Sequence, residues 1–384
     1  MIGTKPEIVI VTNVYFPALG GITSYVKSLA DVLTRRGYRM RILSYPYFMI
    51  QREDAISNRI ARRLVHELAV LAFTLYALSI VLRLRLSSRP VIVHSQSASF
   101  CLSIGVIAKL LGARAVHTFH SPIDRCTLRL KSFLPFADVL VCVSKEHREQ
   151  YIARCGIPRE STIVPGGVDC EFFYPIPEED RKRVRAEVMA SLGLKDEPGP
   201  LVLFVGRIVR QKGVGILFDA AKIVTEEFGN ATFVLIGPID QSRAYAADAE
   251  SLRRRIEPGM RFFMVGKMDY SSLSEAYRMA DVLALPSLWE EALGLVAVEA
   301  MASGLPVVAS RLGGLKSIVT EDVNGHLVEP GEPRRLAEAI LDLLRHPDKR
   351  ARMRLEARAL AEAKYSVRMM ADKYEEIYSS VLAS

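Results

Sequence analysis

Several common sequence signatures are missing from this chain of 384 residues. No Gly-x-Gly-x-x-Gly motif occurs, which argues against a nicotinamide enzyme. No Asp-x-Asp occurs either, so nothing indicates a metal ion, and no signal peptide is recognisable before the strand-like run that starts at Glu7. The cysteines are odd in number and include no Cys-x-x-Cys pair, so we expect reduced packing residues in a cytosolic protein. They are Cys101, Cys126, Cys142, Cys155 and Cys170.

The main apolar run is too short to span a bilayer. Residues 68–82 contain no charge over 15 residues, which corresponds to about 22 Å of helix. A membrane-spanning helix needs about 20 residues. Arginines flank the run on both sides, namely Arg62, Arg63, Arg83 and Arg85. The pattern therefore predicts an apolar helix over 64–86 that is either buried on the first sheet or located at a membrane interface.

Charge is unevenly distributed along the chain. The net charge is +8, yet residues 1–175 carry 22 Lys and Arg against 12 Asp and Glu. The cationic first half is either a solvated basic face or a surface attracted to an anionic membrane or a phosphorylated acceptor. No recognition motif favours nucleic acid. Half of all residues are apolar, and the length suits two domains.

Short β-rich runs alternate with helical patterns in both halves of the chain. This alternation predicts the α/β class, with two Rossmann-like, doubly wound domains and a ligand cleft between the carboxyl edges of their sheets. We expect a first domain over 1–175, a linker over 176–199 that ends in a Pro- and Gly-rich stretch, and a second domain over 200–365. A final helix over 366–384 completes the chain.

The most informative segment is 287–304, which follows a strand-like run. A helix opens at Gly294, and two carboxylates, Glu291 and Glu299, lie on either side of its start. A helix N-terminus attracts an anion, whereas the carboxylates suit sugar hydroxyls. This combination indicates a nucleotide-sugar pocket.

Three further motifs indicate phosphate or sugar contacts. Arg207 and Lys212 lie on a loop after the first strand of the second domain, where they suit a diphosphate. Gly20 and Gly21 open the first helix and allow close backbone approach. His120 ends a predicted strand of the first domain. His117 is more consistent with packing, and His94 remains ambiguous.

Taken together, these segments resemble the retaining glycosyltransferases of family 4, which have the GT-B architecture. The resemblance implies that Gly20, Gly21, Arg207, Lys212 and the amides around Leu295 hold the donor diphosphate. It implies that Glu291 contacts the donor sugar, that Glu299 contacts the ribose, and that His120 lies near the transferred sugar. The remaining donor contacts implied are with Gly266, Lys267, Met268, Gly294 and Val296. It also implies that the final helix crosses back onto the first domain.

The sequence departs from the family pattern at Gly166, where Asn is common, and at Leu293, where Phe is common. A frequent His-x-His element is replaced by residues 94–96. These departures leave the transferred sugar open, with UDP or GDP as the favoured carrier. The expected reaction is hexosyl transfer without a metal ion or other cofactor, to a hydroxyl of a soluble glycan, a membrane lipid or a lipid-linked glycan. The expected location is cytoplasmic, with peripheral contact with an anionic membrane left open.

Two other functions remain compatible with these residues. A nucleotide-sugar epimerase shares the architecture, but it would need acid and base groups around the anomeric carbon. A catalytically silent nucleotide-sugar-binding protein would bind the donor without turnover.

Overall fold

The computed structural model describes residues 5–15, 20–45, 59–87, 89–97, 99–123, 126–191, 193, 199–239, 250–256 and 259–384. The chain forms two compact units. Unit 1 consists of Met1–Gly167 together with Val367–Ser384, and unit 2 is Val168–Ser366. The linker expected over 176–199 holds a helix of unit 2 instead, while residues 194–198 lie outside the described residues.

The described part of unit 1 forms a parallel sheet with the strand order β2-β1-β3-β4-β5-β6. Its strands are β1 (Glu7–Thr12), β2 (Arg39–Ser44), β3 (Val91–Gln96), β4 (Arg114–Thr118), β5 (Val139–Cys142) and β6 (Thr162–Ile163). Its helices are α1 (Gly21–Arg35), α2 (Arg59–Arg85), α3 (Ser99–Ala108), α4 (Leu128–Phe133) and α5 (Lys145–Cys155), together with a C-terminal helix described below.

The described part of unit 2 forms a second parallel sheet with the order β12-β11-β10-β7-β8-β9. Its strands are β7 (Leu201–Val205), β8 (Thr232–Ile236), β9 (Phe262–Gly266), β10 (Val282–Leu285), β11 (Val307–Ser310) and β12 (Gly325–Val328). Its helices are α6 (Glu178–Ser191), α7 (Val214–Phe228), α8 (Tyr270–Met279), α9 (Leu295–Ala302), α10 (Leu315–Ile318), α11 (Pro333–Arg345) and α12 (Pro347–Tyr365). Two parallel sheets flanked by helices confirm the predicted fold class.

The C-terminal helix α13 (Val367–Ala383) belongs to unit 1. The Tyr374 hydroxyl lies 2.6 Å from the Tyr25 hydroxyl and 2.8 Å from Thr118 Oγ1. The Tyr378 hydroxyl lies 2.7 Å from His94 Nδ1. All of these side chains are buried. The helix therefore supplies hydrogen-bond partners that the buried polar groups of β3 and β4 need.

Helix α2 contains the apolar run identified in the sequence, and it has two different faces. One face, which includes Val70, Phe73, Ala77 and Val81, is buried in the core against β1 and β3. The opposite face is exposed and rich in leucine. Neither sequence alternative alone describes this helix, because part of its apolar surface is in the core and part is exposed.

The cysteine prediction is wrong for one pair. Cys126 and Cys155 form a disulfide, with 5.3 Å between their Cα atoms. They are 29 residues apart, so only the folded arrangement around α4 and α5 brings them together. Cys101, Cys142 and Cys170 are not disulfide-bonded, and the first two are buried in the core.

Candidate active site

The carboxyl ends of β7 and β10 place two loops of unit 2 side by side. The strands are neighbours and parallel, so their following loops meet at one edge of the sheet. The Leu288 N–H donates to the Gln211 carbonyl over 2.8 Å. At Gly213, with φ of +71°, a side chain would collide with the Pro286 carbonyl. Glycine is therefore required for this close approach.

Lys212 and Glu291 form an ion pair across these loops. Lys212 Nζ lies 2.5 Å from Glu291 Oε1, and both side chains remain partly exposed, at 28% and 20%. The Ser287 hydroxyl donates to the same oxygen over 2.9 Å. Both contacts use Oε1, so Oε2 can accept a hydrogen bond from a bound hydroxyl group. The Gly314 N–H also donates to the Glu291 carbonyl over 2.7 Å, which fixes the loop from a third side.

Helix α9 begins directly after this ion pair. Its N-cap, Gly294, has φ of +96°, and a Cβ there would lie 2.6 Å from Leu315 Cδ2. Glycine therefore lets the helix start at this point. The amides of Leu295 and Val296 form the first turn, which has the positive end of the helix dipole. The ion pair and this helix end together provide cationic and N–H groups beside a carboxylate.

Glu299 lies farther along α9 and is buried. Its Oε2 accepts a hydrogen bond from the Tyr277 hydroxyl over 2.8 Å. Burial raises the pKa of Glu299 to about 7, and the tyrosine bond only partly offsets this rise. Glu299 is therefore a carboxyl group that can change its charge near neutral pH.

The other predicted donor contacts of unit 2 lie along the same edge. Arg207 is exposed and follows β7, while Gly266, Lys267 and Met268 end and follow β9. Strand β8 separates β7 from β9, which puts about 10 Å between the ends of these two strands. Lys212, Glu291 and the start of α9 therefore lie together in the structure, whereas the residues that follow β9 lie farther along the same sheet edge.

In unit 1, His120 lies just past the carboxyl end of β4. Its Nε2 is 2.5 Å from the side-chain oxygen of Gln96, the last residue of β3. The Tyr25 ring packs edge-on against the imidazole, with 4.4 Å between ring centroids. Burial, assisted by neighbouring histidines, lowers the pKa of His120 well below 6.5. The imidazole is therefore neutral, with the proton on Nε2 and an acceptor at Nδ1.

The other unit 1 predictions have mixed outcomes. Gly20 and Gly21 are exposed at the start of α1, whereas residues 16–19 of the same motif lie outside the described residues. His117 is buried, with Nδ1 2.8 Å from Ser95 Oγ, in line with a packing role. His94 bonds to Thr118 and Tyr378 and is structural as well.

Sequence reasoning missed four side chains that hold these groups in place: Ser287, Tyr277, Gln96 and Tyr25. Ser287 is four residues from Glu291, but a spacing of four in a loop does not predict a hydrogen bond. Tyr277 is on α8 and reads as an ordinary core aromatic. Only the folded structure shows that its hydroxyl serves Glu299.

Comparisons with known proteins agree with this description. The family model described as Glycosyltransferase Family 4 matches residues 19–172. The model described as Glycosyl transferases group 1 matches residues 186–360. Together the two models account for most of the chain.

Two curated relatives and one solved structure illustrate the similarity. The D-inositol 3-phosphate glycosyltransferase of Xylanimonas cellulosilytica is 34% identical over 58% of this chain and 52% of its own length, so the match spans about half of that relative. The phosphatidyl-myo-inositol mannosyltransferase of Mycobacterium leprae is 27% identical over 96% of this chain and 95% of its own length.

The crystal structure of HepE from Anabaena in complex with UDP has a TM-score of 0.73 at 19% identity. It covers 97% of this chain and 100% of its own. At this identity the likeness concerns the fold alone. With family models matching both halves and two parallel sheets flanked by helices, the chain belongs to glycosyltransferase family 4 and has its GT-B fold.

Proposed function

We propose that this protein transfers a sugar from a nucleoside-diphosphate sugar, with UDP or GDP as carrier, to a hydroxyl group of an acceptor. The observation that carries the proposal is the Lys212–Glu291 ion pair beside the N-terminus of α9. Lys212 and the α9 amides suit a diphosphate, and Glu291 suits sugar hydroxyls. A carboxylate next to a diphosphate would be repelled unless a cation balanced it, and Lys212 provides that balance.

In the proposed reaction, the acceptor oxygen bonds to the anomeric carbon while the bond from that carbon to the diphosphate breaks. The acceptor proton passes to the departing phosphate, and attack from the face of the leaving group retains the configuration. Arg207, Lys212 and the start of α9 stabilise the charge that develops on the leaving group. These cations allow departure without a metal ion. The roles of Gly20, Gly21, His120, Lys267 and Glu299 stay predictions.

For the acceptor, we favour a phospholipid head group or a lipid-linked glycan. The cationic first half of the chain supports an acceptor at an anionic surface. The names of both relatives refer to phosphorylated inositols. Neither relative is named as an epimerase, so that alternative has no support from them. We propose a cytoplasmic location, although the Cys126–Cys155 disulfide is unusual for one.

Calorimetry with free nucleoside diphosphates and with the corresponding nucleoside-diphosphate sugars tests the donor site. The Lys212→Ala variant should weaken binding of both ligands and lower kcat/KM by about 10²- to 10³-fold, because it removes a charge that stabilises the leaving group. The Glu291→Ala variant should instead lose the extra affinity that the sugar confers. Its binding of the free diphosphate should be unchanged or tighter, because Lys212 is released from the ion pair.

Lys182→Ala is the matched control. Lys182 is an exposed lysine of the same unit, next to Arg181, which binds Asp281 at the opposite, amino end of β10. The Lys182→Ala variant should bind the donor and transfer the sugar like wild type. In a separate test, transfer by the wild-type protein should persist when a metal chelator is present. Substantial transfer by Lys212→Ala or Glu291→Ala would place the site elsewhere. Donor binding without transfer to any acceptor would support a silent binding protein instead.

A further inference from the structure

Helix α2 exposes a stripe of leucines along most of its length. The leucines recur at intervals of three, four or seven residues, a spacing that aligns them on one side of a helix. Each is between 47% and 78% exposed. We call this stripe the leucine face, and it consists of Leu64, Leu68, Leu71, Leu75 and Leu82 on α2 and Leu86 just past the end of the helix. Its helical part, from Leu64 to Leu82, is about 27 Å long by helical rise, and monomeric proteins rarely expose so continuous an apolar surface.

The opposite side of α2 determines how the leucine face can be used. The helix extends beyond the uncharged run, so the length argument from the sequence does not hold: by length and composition alone, Arg63–Arg85 could cross a membrane. However, Val70, Phe73 and Val81 are buried in the core of the unit 1 sheet. A helix held by a soluble core along one side cannot be surrounded by lipid. The leucine face can therefore contact a bilayer only with the helix lying in the plane of the surface.

Charge around the leucine face is predominantly positive. Arg63 and Arg83 are exposed near the two ends of the stripe. Glu67 is the one acidic residue in the sequence of α2, and it pairs with Arg129 of α4 over 2.9 Å. Unit 1 as a whole has 24 Lys and Arg against 13 Asp and Glu. Tyr76 is also exposed next to the stripe, and tyrosine favours the boundary between apolar and aqueous regions.

Two occupants could cover such a surface, and charge distinguishes them. A second copy of this chain would bring two cationic units together, with little acidic surface on α2 to compensate. An anionic bilayer matches both the leucines and the cations. We propose that the leucine face docks on an anionic membrane surface and inserts its side chains into the interfacial layer. This inference rests on the proposed function in that it would bring unit 1 to a lipid-borne acceptor.

Vesicle co-sedimentation of the 384-residue chain tests the docking surface. Wild-type protein should sediment with phosphatidylcholine vesicles that contain phosphatidylglycerol, and less with pure phosphatidylcholine vesicles. High salt should weaken the binding, because it screens the arginines. A triple variant, Leu68→Gln with Leu71→Gln and Leu75→Gln, should lower the partition coefficient by about tenfold or more, because it withdraws three leucines from the interface.

The controls separate docking from folding and from the donor site. Leu355→Gln changes an exposed leucine on α12 in unit 2 and should sediment like wild type. The triple variant should keep its wild-type circular dichroism and its affinity for nucleoside diphosphates. If the proposed donor site is wrong, the nucleotide-binding results will differ from those expected, while vesicle binding will be unaffected. The two proposals can therefore be rejected independently.

Two results would overturn the proposal. One is that wild-type protein stays in the supernatant with every vesicle, or that the triple variant binds as tightly as wild type. The other is a stable dimer without vesicles that the triple variant converts to a monomer. That outcome would assign the leucine face to self-association instead.

Discussion

At the scale of single residues, Glu299 is the group with the clearest measurable signature. Its carboxyl group is buried and bonded to Tyr277, and burial raises its pKa from 4.5 to about 7. A raised folded-state pKa means that folding favours the protonated form. The stability contributed by protonated Glu299 is therefore fully present below pH 4.5 and is lost as pH rises through about 7.

We predict that the stability of Glu299→Gln, relative to wild type, increases between pH 4.5 and pH 7. The amide cannot ionise, whereas wild type loses about 3 kcal/mol for a shift of this size. Chemical denaturation at several pH values measures the difference. Glu356→Gln, which changes an exposed glutamate on α12, should show no such trend. An equal pH dependence for Glu299→Gln and wild type would contradict the buried-carboxyl account.

The sequence predicted the chemistry of individual residues better than their partners. The loop positions of Lys212 and Glu291 at strand ends were enough to propose a shared role, and the structure shows them in contact. The hydrogen-bond partners of Glu299 and His120 could not be predicted from the sequence. Tyr277 and Gln96 come from other elements, and nothing in a linear sequence records that their polar atoms point toward these groups.

At the scale of elements, Asp281 fastens α6 to the second sheet. It stands at the amino end of β10 and accepts from Arg181 over 2.9 Å and from Arg185 over 2.7 Å. It also accepts from the Leu201 N–H at the start of β7 over 2.8 Å. Burial raises the pKa of Asp281, but Arg185 and Arg181 outweigh this effect and hold it below the usual value. This carboxylate therefore joins one helix and two strands.

We predict that Asp281→Ala lowers the free energy of unfolding by about 3–5 kcal/mol, because Arg181 and Arg185 both lose the buried carboxylate that balances their charge. Urea denaturation of the full chain measures the effect. The control is Asp180→Ala, which breaks an exposed pair with Arg183 on α6 and should change stability by at most about 1 kcal/mol. Similar losses in the two variants would mean that the Asp281 cluster does not anchor the helix.

The elements themselves were largely predictable. Continuous apolar runs such as Leu201–Val205 indicate buried parallel strands, and the observed strands follow those runs closely. Helix α6 was not recognised, because its charged sequence and its low share of apolar residues resemble a linker. Its attachment depends on Arg181, an arginine that is buried through its ion pair and not through an apolar pattern.

At the scale of the whole molecule, unit 1 depends on a helix from the far end of the chain. Without α13, the hydrogen bonds from Tyr374 and Tyr378 to Thr118 and His94 would be lost inside the core. Buried polar groups without partners destabilise a fold by about 1–3 kcal/mol each. The sequence resemblance implied the return of this helix, but it gave no residue-level reason for it.

We predict that deletion of residues 367–384 unfolds unit 1 and leaves unit 2 folded. Hydrogen exchange should show lost protection in β3 and β4, with protection retained in β7 and β10. The single change Tyr374→Phe should also lower the exchange protection of β3 and β4, but by less, because the ring still fills the core. Unchanged exchange in β3 and β4 after the deletion would mean that unit 1 is stable by itself.

Unit 1 is built from two segments at opposite ends of the chain, and this has a consequence for biosynthesis. During translation, the ribosome releases Met1–Gly167 long before Val367–Ser384, and it makes all of Val168–Ser366 in between. The amino-terminal sheet must therefore form without the Tyr374 and Tyr378 hydroxyls that bond to Thr118 and His94, while the later-made unit can already fold. Nascent chains stalled after residue 366 should accordingly expose an incomplete first unit to chaperones and proteases.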